Sequence, residues 1–310
     1  MRFLLLLMML LVGCSRTSNE KTIPLKQYLT VLGIAQDGGY PHIGCQKTCC
    51  QSIYKGLAKR KSVVSLGLID KELKGKWIFE ATPDLSTQLA DLEQNHLKKD
   101  NLIDGVFLTH GHIGHYTGLM YFGKEALGKK GTTVYAMPKM KNYLETSGPW
   151  SQLVELENIR IKELQQDSIV DLNSNVKVIP FLVPHRDEYS ETVGYKIIGP
   201  KKTALFIPDI DKWQKWNRNI VEEVKHVDYA FVDATFFDAN EVKRPIAEIP
   251  HPFIIETVSL FENEALEIKN KVIFIHFNHT NPAIESNSEA RKKIEKLGFR
   301  FASEGDHYQL

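Results

Sequence analysis

The stretch Thr109-His110-Gly111-His112-Ile113-Gly114-His115 sets three histidines within six residues, directly after the apolar run Gly105-Val106-Phe107-Leu108. Three imidazoles this close repel one another when protonated and have little packing use on a loop when neutral. A shared divalent cation resolves the conflict, because neutral imidazole nitrogen is a preferred ligand of zinc and its neighbours in the first transition row. The chain must therefore fold so that the end of this strand delivers its loop to a metal site.

Three more apolar runs end in a candidate ligand. Phe181-Leu182-Val183-Pro184 leads to His185, Ala204-Leu205-Phe206-Ile207-Pro208 to Asp209, and Val272-Ile273-Phe274-Ile275 to His276, with His279 three residues on. Each is weak alone, since a strand-terminal Asp such as Asp209 is commonly a turn former or helix cap. Together they describe strand ends feeding one rim, where a rigid scaffold places functional side chains.

Composition adds exclusions. The 310 residues, 43% apolar, suffice for one large α/β domain or two small ones. Lys and Arg total 39 against 38 Asp and Glu, so no net charge advertises a polyanion, and no nucleic acid partner is expected. Met1-Arg2 followed by the apolar Phe3 to Val12 reads as an export signal too short to span a bilayer comfortably. Leu11-Val12-Gly13-Cys14 resembles a bacterial lipobox. That resemblance implies a signal peptide over 1–14, lipidation of Cys14, a polar tether over 15–24, a membrane-anchored exported protein (periplasmic side in a diderm) and a catalytic body over 25–310. Cys45, Cys49 and Cys50 remain, an odd number crowded into one loop, which favours metal ligation over a disulfide framework.

Strand-like runs occur at Tyr28 to Ala35, Ser62 to Ile69, Lys76 to Ala81, Val106 to Thr109, Thr133 to Ala136, Val176 to Val183, Val193 to Ile198, Thr203 to Ile207, Tyr229 to Asp233 and Val272 to His276. Helical patterns over Asp84 to Lys98, Leu119 to Leu127, Lys212 to Lys225, Ile254 to Lys269 and Ser288 to Leu297 alternate with them. Two sheets covered by helices suit this order. Trp213 and Trp216 read as packing residues, and Asp233 as a carboxylate that orients a ligand histidine.

The ligand order His110, His112, His115, then His185, Asp209 and His276 resembles the metallo-β-lactamase-fold superfamily, which implies an αββα sandwich with the metal site at one edge. Asp37-Gly38-Gly39-Tyr40-Pro41, Ala81-Thr82-Pro83-Asp84-Leu85, Pro184-His185-Arg186-Asp187-Glu188-Tyr189-Ser190 and His276-Phe277-Asn278-His279-Thr280-Asn281-Pro282 are similar to motifs of the pyrroloquinoline quinone biosynthesis protein B family. That family generally lacks the first two histidines of the loop, so their presence moves the balance toward hydrolysis. A second departure is Gly114, where two-metal members carry Asp. Its absence leaves the second position only His115, His276 and the bridging Asp209, unless another residue such as Asp37 replaces it. Similarity of His276-Phe277-Asn278 to a turn of tRNA-processing members places His276 at the active site. Similarity to the phosphonate-pathway cyclic phosphodiesterases implies a structural zinc on Cys45, Cys49, Cys50 and His279, with His42 or His307 as alternative fourth ligands.

These readings lead to a lipid-anchored hydrolase with one or two active-site divalent ions, zinc foremost and manganese or iron as alternatives. A metal-bound hydroxide attacks a small-molecule phosphodiester, ester or lactone, and Asp209 accepts the water proton. The alternatives are an iron-dependent oxygenase-like or carrier role in cofactor maturation, and a non-catalytic binding protein of the same fold.

Overall fold

The structure, a computed structural model, describes residues 25–186, 188–242, 245 and 248–310. The signal peptide and tether expected over 1–24, and Asp187, lie outside the described residues. No helix among the described residues is long and apolar enough to cross a membrane.

Two seven-stranded sheets form the centre. The first runs β14 (His307–Gln309), β1 (Gln27–Gly33), β2 (Ser65–Asp70), β3 (Gly75–Phe79), β4 (Gly105–Phe107), β5 (Thr132–Ala136) and β6 (Ile159–Glu163). The second runs β13 (Arg300–Phe301), β12 (Val272–Ile275), β11 (Tyr229–Asp233), β10 (Thr203–Ile207), β9 (Val193–Ile198), β8 (Lys177–Leu182) and β7 (Val170–Asp171).

Strands β1 to β4 are buried along their whole length, which is why they read as continuous apolar runs rather than alternating ones. The period of two still decides where each residue goes. Leu29, Val31, Trp77, Phe79, Phe107 and Tyr135 enter the core between the sheets. Their neighbours Tyr28, Leu32, Ile78, Val106 and Val134 enter a separate core beneath Leu85 and Leu89 of α1 (Leu85–Asp91) and Leu119 and Phe122 of a following 3-10 turn. Beyond the second sheet, Ile220 and Val224 of α2 (Ile220–Lys225), Ile254 of α3 (Ile254–Leu260) and Ile294 of α4 (Glu289–Glu295) cover the other side, completing the helix–sheet–sheet–helix sandwich.

An aromatic column ties the sheets together behind the histidine loop. Tyr135 stacks on Phe107 at 4.2 Å and Phe107 on Phe79 at 5.0 Å. Tyr195 of β9 packs against both Phe79 and Phe107, and its buried hydroxyl donates to the Leu108 carbonyl. Each ring pair contributes about 0.5–1.5 kcal/mol beyond its buried area, so the root of the His110 loop is stiffly held.

The helix expected over Leu119 to Leu127 is instead a 3-10 turn over Thr117–Phe122, and two further expected helices are shorter than their sequence patterns. Over Lys212 to Lys225, Asn219 accepts from the amides of Val221 and Glu222 and starts the helix only at Ile220. Trp213 and Trp216 precede it, packed as expected, with their indole N–H groups donating to Thr257 and the Leu182 carbonyl. Over Ile254 to Lys269, the fully buried Phe261 ends α3, and a separate helical turn covers only Leu266–Lys269.

Strand direction explains the rim. β10, β11 and β12 are mutually parallel, and β8 is antiparallel to β9, which is antiparallel to β10. The C-terminal ends of β8, β10, β11 and β12 therefore share one edge, where His185, Asp209, Asp233 and His276 stand.

Candidate metal centre

The residues that follow these strand ends converge. Ligand atoms of His110, His112, His185 and Asp209 lie within 4.8 Å of one another, as do those of Asp37, His115, Asp209 and His276. Asp209 is common to both groups. Its Oδ1 is 3.3 Å from His185 Nε2, and its Oδ2 is 3.4 Å from His110 Nε2 and 3.8 Å from His115 Nε2. The structure thus brings together all six residues expected at the active site, and adds Asp37, whose Oδ1 is 3.0 Å from His115 Nε2 and 3.4 Å from His276 Nε2. The expectation that Gly114 leaves the second group without its own carboxylate is corrected: Asp37 stands there.

Four histidines point Nε2 inward because something else holds Nδ1. Thr109 Oγ1 lies 2.9 Å from His110 Nδ1, Asp211 Oδ1 3.2 Å from His185 Nδ1, and Thr235 Oγ1 2.8 Å from His276 Nδ1. Glu80 Oε2 is 3.5 Å from His115 Nδ1. Such outer partners fix ring orientation and raise ligand basicity. Asp233 orients His276 through an intermediary, since Thr235 donates to Asp233 Oδ1 at 2.7 Å. His276 itself has φ +70°, a left-handed backbone uncommon for a residue with a Cβ, which turns the chain sharply at the end of β12.

The electrostatics favour a cation. Burial opposes charge on Asp209, but His251 and His185 hold its carboxyl well below the usual range. Burial likewise opposes the imidazolium of His115, yet Asp37 and then Glu80 raise it well above the ordinary histidine value. Burial and then His115 push His110 well down. His185 Nε2 and Asp209 Oδ1, both buried, make no hydrogen bond within the protein, as expected of atoms facing an ion. Imidazole and carboxylate donors fit zinc, manganese or iron.

Two further residues escaped sequence reasoning. His251, between Pro250 and Pro252 in a loop, places Nδ1 2.9 Å from Asp233 Oδ2 and 3.1 Å from Asp209 Oδ1. Glu80, fully buried with φ +79°, follows β3 and faces His115 and Thr109. The sole sequence signal for either is a polar residue inside an otherwise apolar or proline-rich segment. Glu188, by contrast, contacts His112 at 3.6 Å from a half-exposed position.

A cavity of about 700 Å³ opens beside the site, lined among others by His251, Arg186, Lys212, Lys215, Gln36 and Asn278. Lys212 pairs with Glu256 and Lys215 with Asp211, whereas Arg186 makes no ion pair among the described residues.

A second cluster joins Cys45, Cys49, Cys50 and His279. Cys49 Sγ is 4.0 Å from Cys45 Sγ and 3.9 Å from Cys50 Sγ, and His279 Nδ1 is 3.5 Å from Cys50 Sγ and 3.7 Å from Cys49 Sγ. Zinc–sulfur bonds of ~2.3 Å at tetrahedral angles give edges of ~3.8 Å, whereas a disulfide requires ~2.05 Å. His42 stacks on His279 at 4.5 Å between ring centres, and its backbone N–H donates to Cys50 Sγ. His307 instead packs against Tyr28 and His96. Burial and then His42 lower His279 to about 4, leaving it neutral and ready to ligate at neutral pH.

Residues 77–277 match the beta-lactamase superfamily domain. The chain belongs to this superfamily. Among curated proteins it is similar to Coenzyme PQQ synthesis protein B of Rhizobium meliloti (strain 1021), 24% identical over 94% of this chain and 100% of the relative. The same protein of Gluconobacter oxydans (strain 621H) is 25% identical over 90% and 97% respectively. Zn(2+)-bound PqqB from Methylobacterium extorquens superposes with a TM-score of 0.75 at 20% identity, covering 91% of this chain and 100% of that one. A diphosphatase of the PhnP family gives 0.62 at 23% identity, covering 92% and 98%. These structures share the metallo-β-lactamase fold with this chain.

Proposed function

We propose that this chain is a metal-dependent hydrolase acting on a small anionic substrate, a phosphodiester before an ester or lactone. The observation that carries the reading is Asp209, a buried carboxylate shared by two groups of inward-facing ligands beside a polar cavity into which Arg186 and His251 project. His110, His112, His185 and Asp209 would hold one divalent ion, and His115, His276 and Asp209 a second. When bound, such ions lower the pKa of coordinated water toward neutrality and polarise the group under attack.

The side chains divide the remaining work. Asp209 would bridge the two positions and, as expected from sequence, accept the water proton. Delivery of a proton to the leaving group falls to His251. Burial disfavours its charged form, but Asp209 and Asp233 outweigh burial and raise its pKa well above the ordinary value. Nδ1 is hydrogen-bonded to Asp233, with the Asp209 carboxylate close by, leaving Nε2 to protonate a leaving group. Arg186, with no ion pair of its own among the described residues, is placed to receive a substrate oxyanion.

A role in quinone-cofactor maturation is the second reading, favoured by similarity to the PQQ synthesis proteins over their full length. Attachment to a membrane through Cys14 is supported by Leu11-Val12-Gly13-Cys14 alone. One experiment separates the first two. Protein loaded with zinc, manganese or iron is offered bis(4-nitrophenyl) phosphate, nitrophenyl esters and lactones, with oxygen consumption followed in parallel. Metal-dependent phosphodiester cleavage supports the hydrolase, and oxygen uptake confined to the iron form with no cleavage rejects it.

A further inference from the structure

The second ligand group lacks an acid on its own loop, and the space such an acid requires is already filled. A Cβ built on Gly114 lies 2.5 Å from Asp37 Cα and 2.7 Å from both its Cβ and Cγ, closer than real atoms approach. A side chain at 114 and the acid at 37 therefore compete for one volume. We propose that Asp37 is the anionic ligand of the second metal position, a carboxylate delivered by the loop after β1 in exchange for one on the histidine turn. This inference rests on the reading that the site holds two ions.

The backbone explains how a residue so distant in sequence arrives there. Past β1, Ala35 forms bridges with both Val63 and Phe277, one on each side. The Phe277 amide donates to the Ile34 carbonyl at 2.8 Å, and the Gln36 amide to the Phe277 carbonyl at 2.8 Å. Phe277 directly follows the ligand His276, so these bonds lock Asp37 in register with it. A turn then reverses the chain, closed by the Gly39 amide on the Gln36 carbonyl at 2.7 Å, with Gly39 at φ +71°. The carboxylate Oδ1 ends between His115 Nε2 and His276 Nε2.

Charge gives the exchange its purpose. Without Asp37 the second position would be two neutral imidazoles and a share of Asp209, a poor counterweight to a dication. Asp37 adds a hard anionic oxygen without occupying the Gly114 turn, where the chain must pass tightly behind it.

The test measures metal per chain by elemental analysis after dialysis against a weak chelator, using full-length protein loaded with cobalt. Thiolate-to-cobalt absorption counts the cysteine site separately. Asp37→Asn, which keeps shape and removes charge, and Asp37→Ala should each lose one active-site ion while retaining the cysteine-bound one. Gly114→Asp alone should lower the melting temperature by colliding with Asp37. The double variant Asp37→Gly/Gly114→Asp should recover both the missing ion and the melting temperature. Asp37→Asn and Asp37→Ala that keep every active-site ion at wild-type affinity would overturn the proposal, as would Gly114→Asp with unaltered melting and metal content. Wild-type protein with a single active-site ion overturns the two-ion reading itself, a result visible before any variant is made.

Discussion

Asp211 Oδ1 lies 3.2 Å from His185 Nδ1, and its other oxygen is 2.7 Å from Lys215 Nζ, so one carboxylate connects a candidate ligand to the cationic wall of the cavity. Asp211→Ala should leave the fold intact but free the His185 ring. Metal affinity at the position shared with His110 and His112 should fall by about 10–100-fold, the usual cost of losing such a partner. Competition with a chromophoric chelator measures it, and unchanged affinity would show that the ring is held by packing alone.

His251→Gln should lower turnover by on the order of 10²–10⁴ while metal content stays at the wild-type level. The pH dependence has a definite sign. Because the pKa of His251 is raised, its acid form persists through neutrality and is lost only as pH climbs through that raised value. Wild-type kcat should therefore decline on the alkaline side. The variant should lack that decline, and a variant profile that keeps the alkaline limb assigns the proton to another group.

Arg186→Gln is expected to raise KM for anionic phosphodiesters by about 10–100-fold, the loss of one charge-assisted contact, and to leave KM for a neutral nitrophenyl ester nearly unchanged. Equal effects on both substrates would mean that Arg186 shapes the cavity without reading charge.

Cys50→Ser should remove one tightly bound zinc and lower the melting temperature, since a closed four-ligand site contributes folding free energy directly. Burial first, only partly countered by the His42 amide, raises the Cys50 thiol to about 12 when no cation is present, so protons compete strongly for this ligand. Zinc release should accordingly accelerate as pH falls, followed with a zinc-sensitive dye. A variant that melts like wild type would assign the cysteines a role other than structural.

Tyr195→Phe removes the donor to the buried Leu108 carbonyl at the root of the histidine loop. It should cost about 1–3 kcal/mol in denaturant unfolding, the penalty of an unpaired buried acceptor.

What was legible in the sequence follows from how strongly each residue is tied to a local pattern. His185, Asp209 and His276 end apolar runs, and a run long enough to be a strand fixes where its last residue emerges. The histidine loop announced itself by density. Asp37, an Asp before two glycines, was legible only as a possible substitute for the acid missing at Gly114, and His251, a His between prolines, reads as a loop. Their positions are set by long-range backbone pairing, Ala35 with Phe277 and Phe236 with Phe253, which no local window contains. Glu80 was hidden for the opposite reason: it ends a buried strand, where a carboxylate is expensive unless a partner such as His115 offsets it.

The Ala35 bridge to Phe277 also orders events in time. Asp37 and His276 are 239 residues apart in sequence and share a site only once the first and last thirds of the chain have closed on each other. An ion that needs both cannot template early folding, because its pocket does not exist until that closure. The cysteine cluster straddles the same seam, with Cys45 on the loop that bears Asp37 and His279 on the turn that bears His276. Zinc held there would act as a clasp across that seam, tying the loop of Asp37 to the turn of His276 once the two have met.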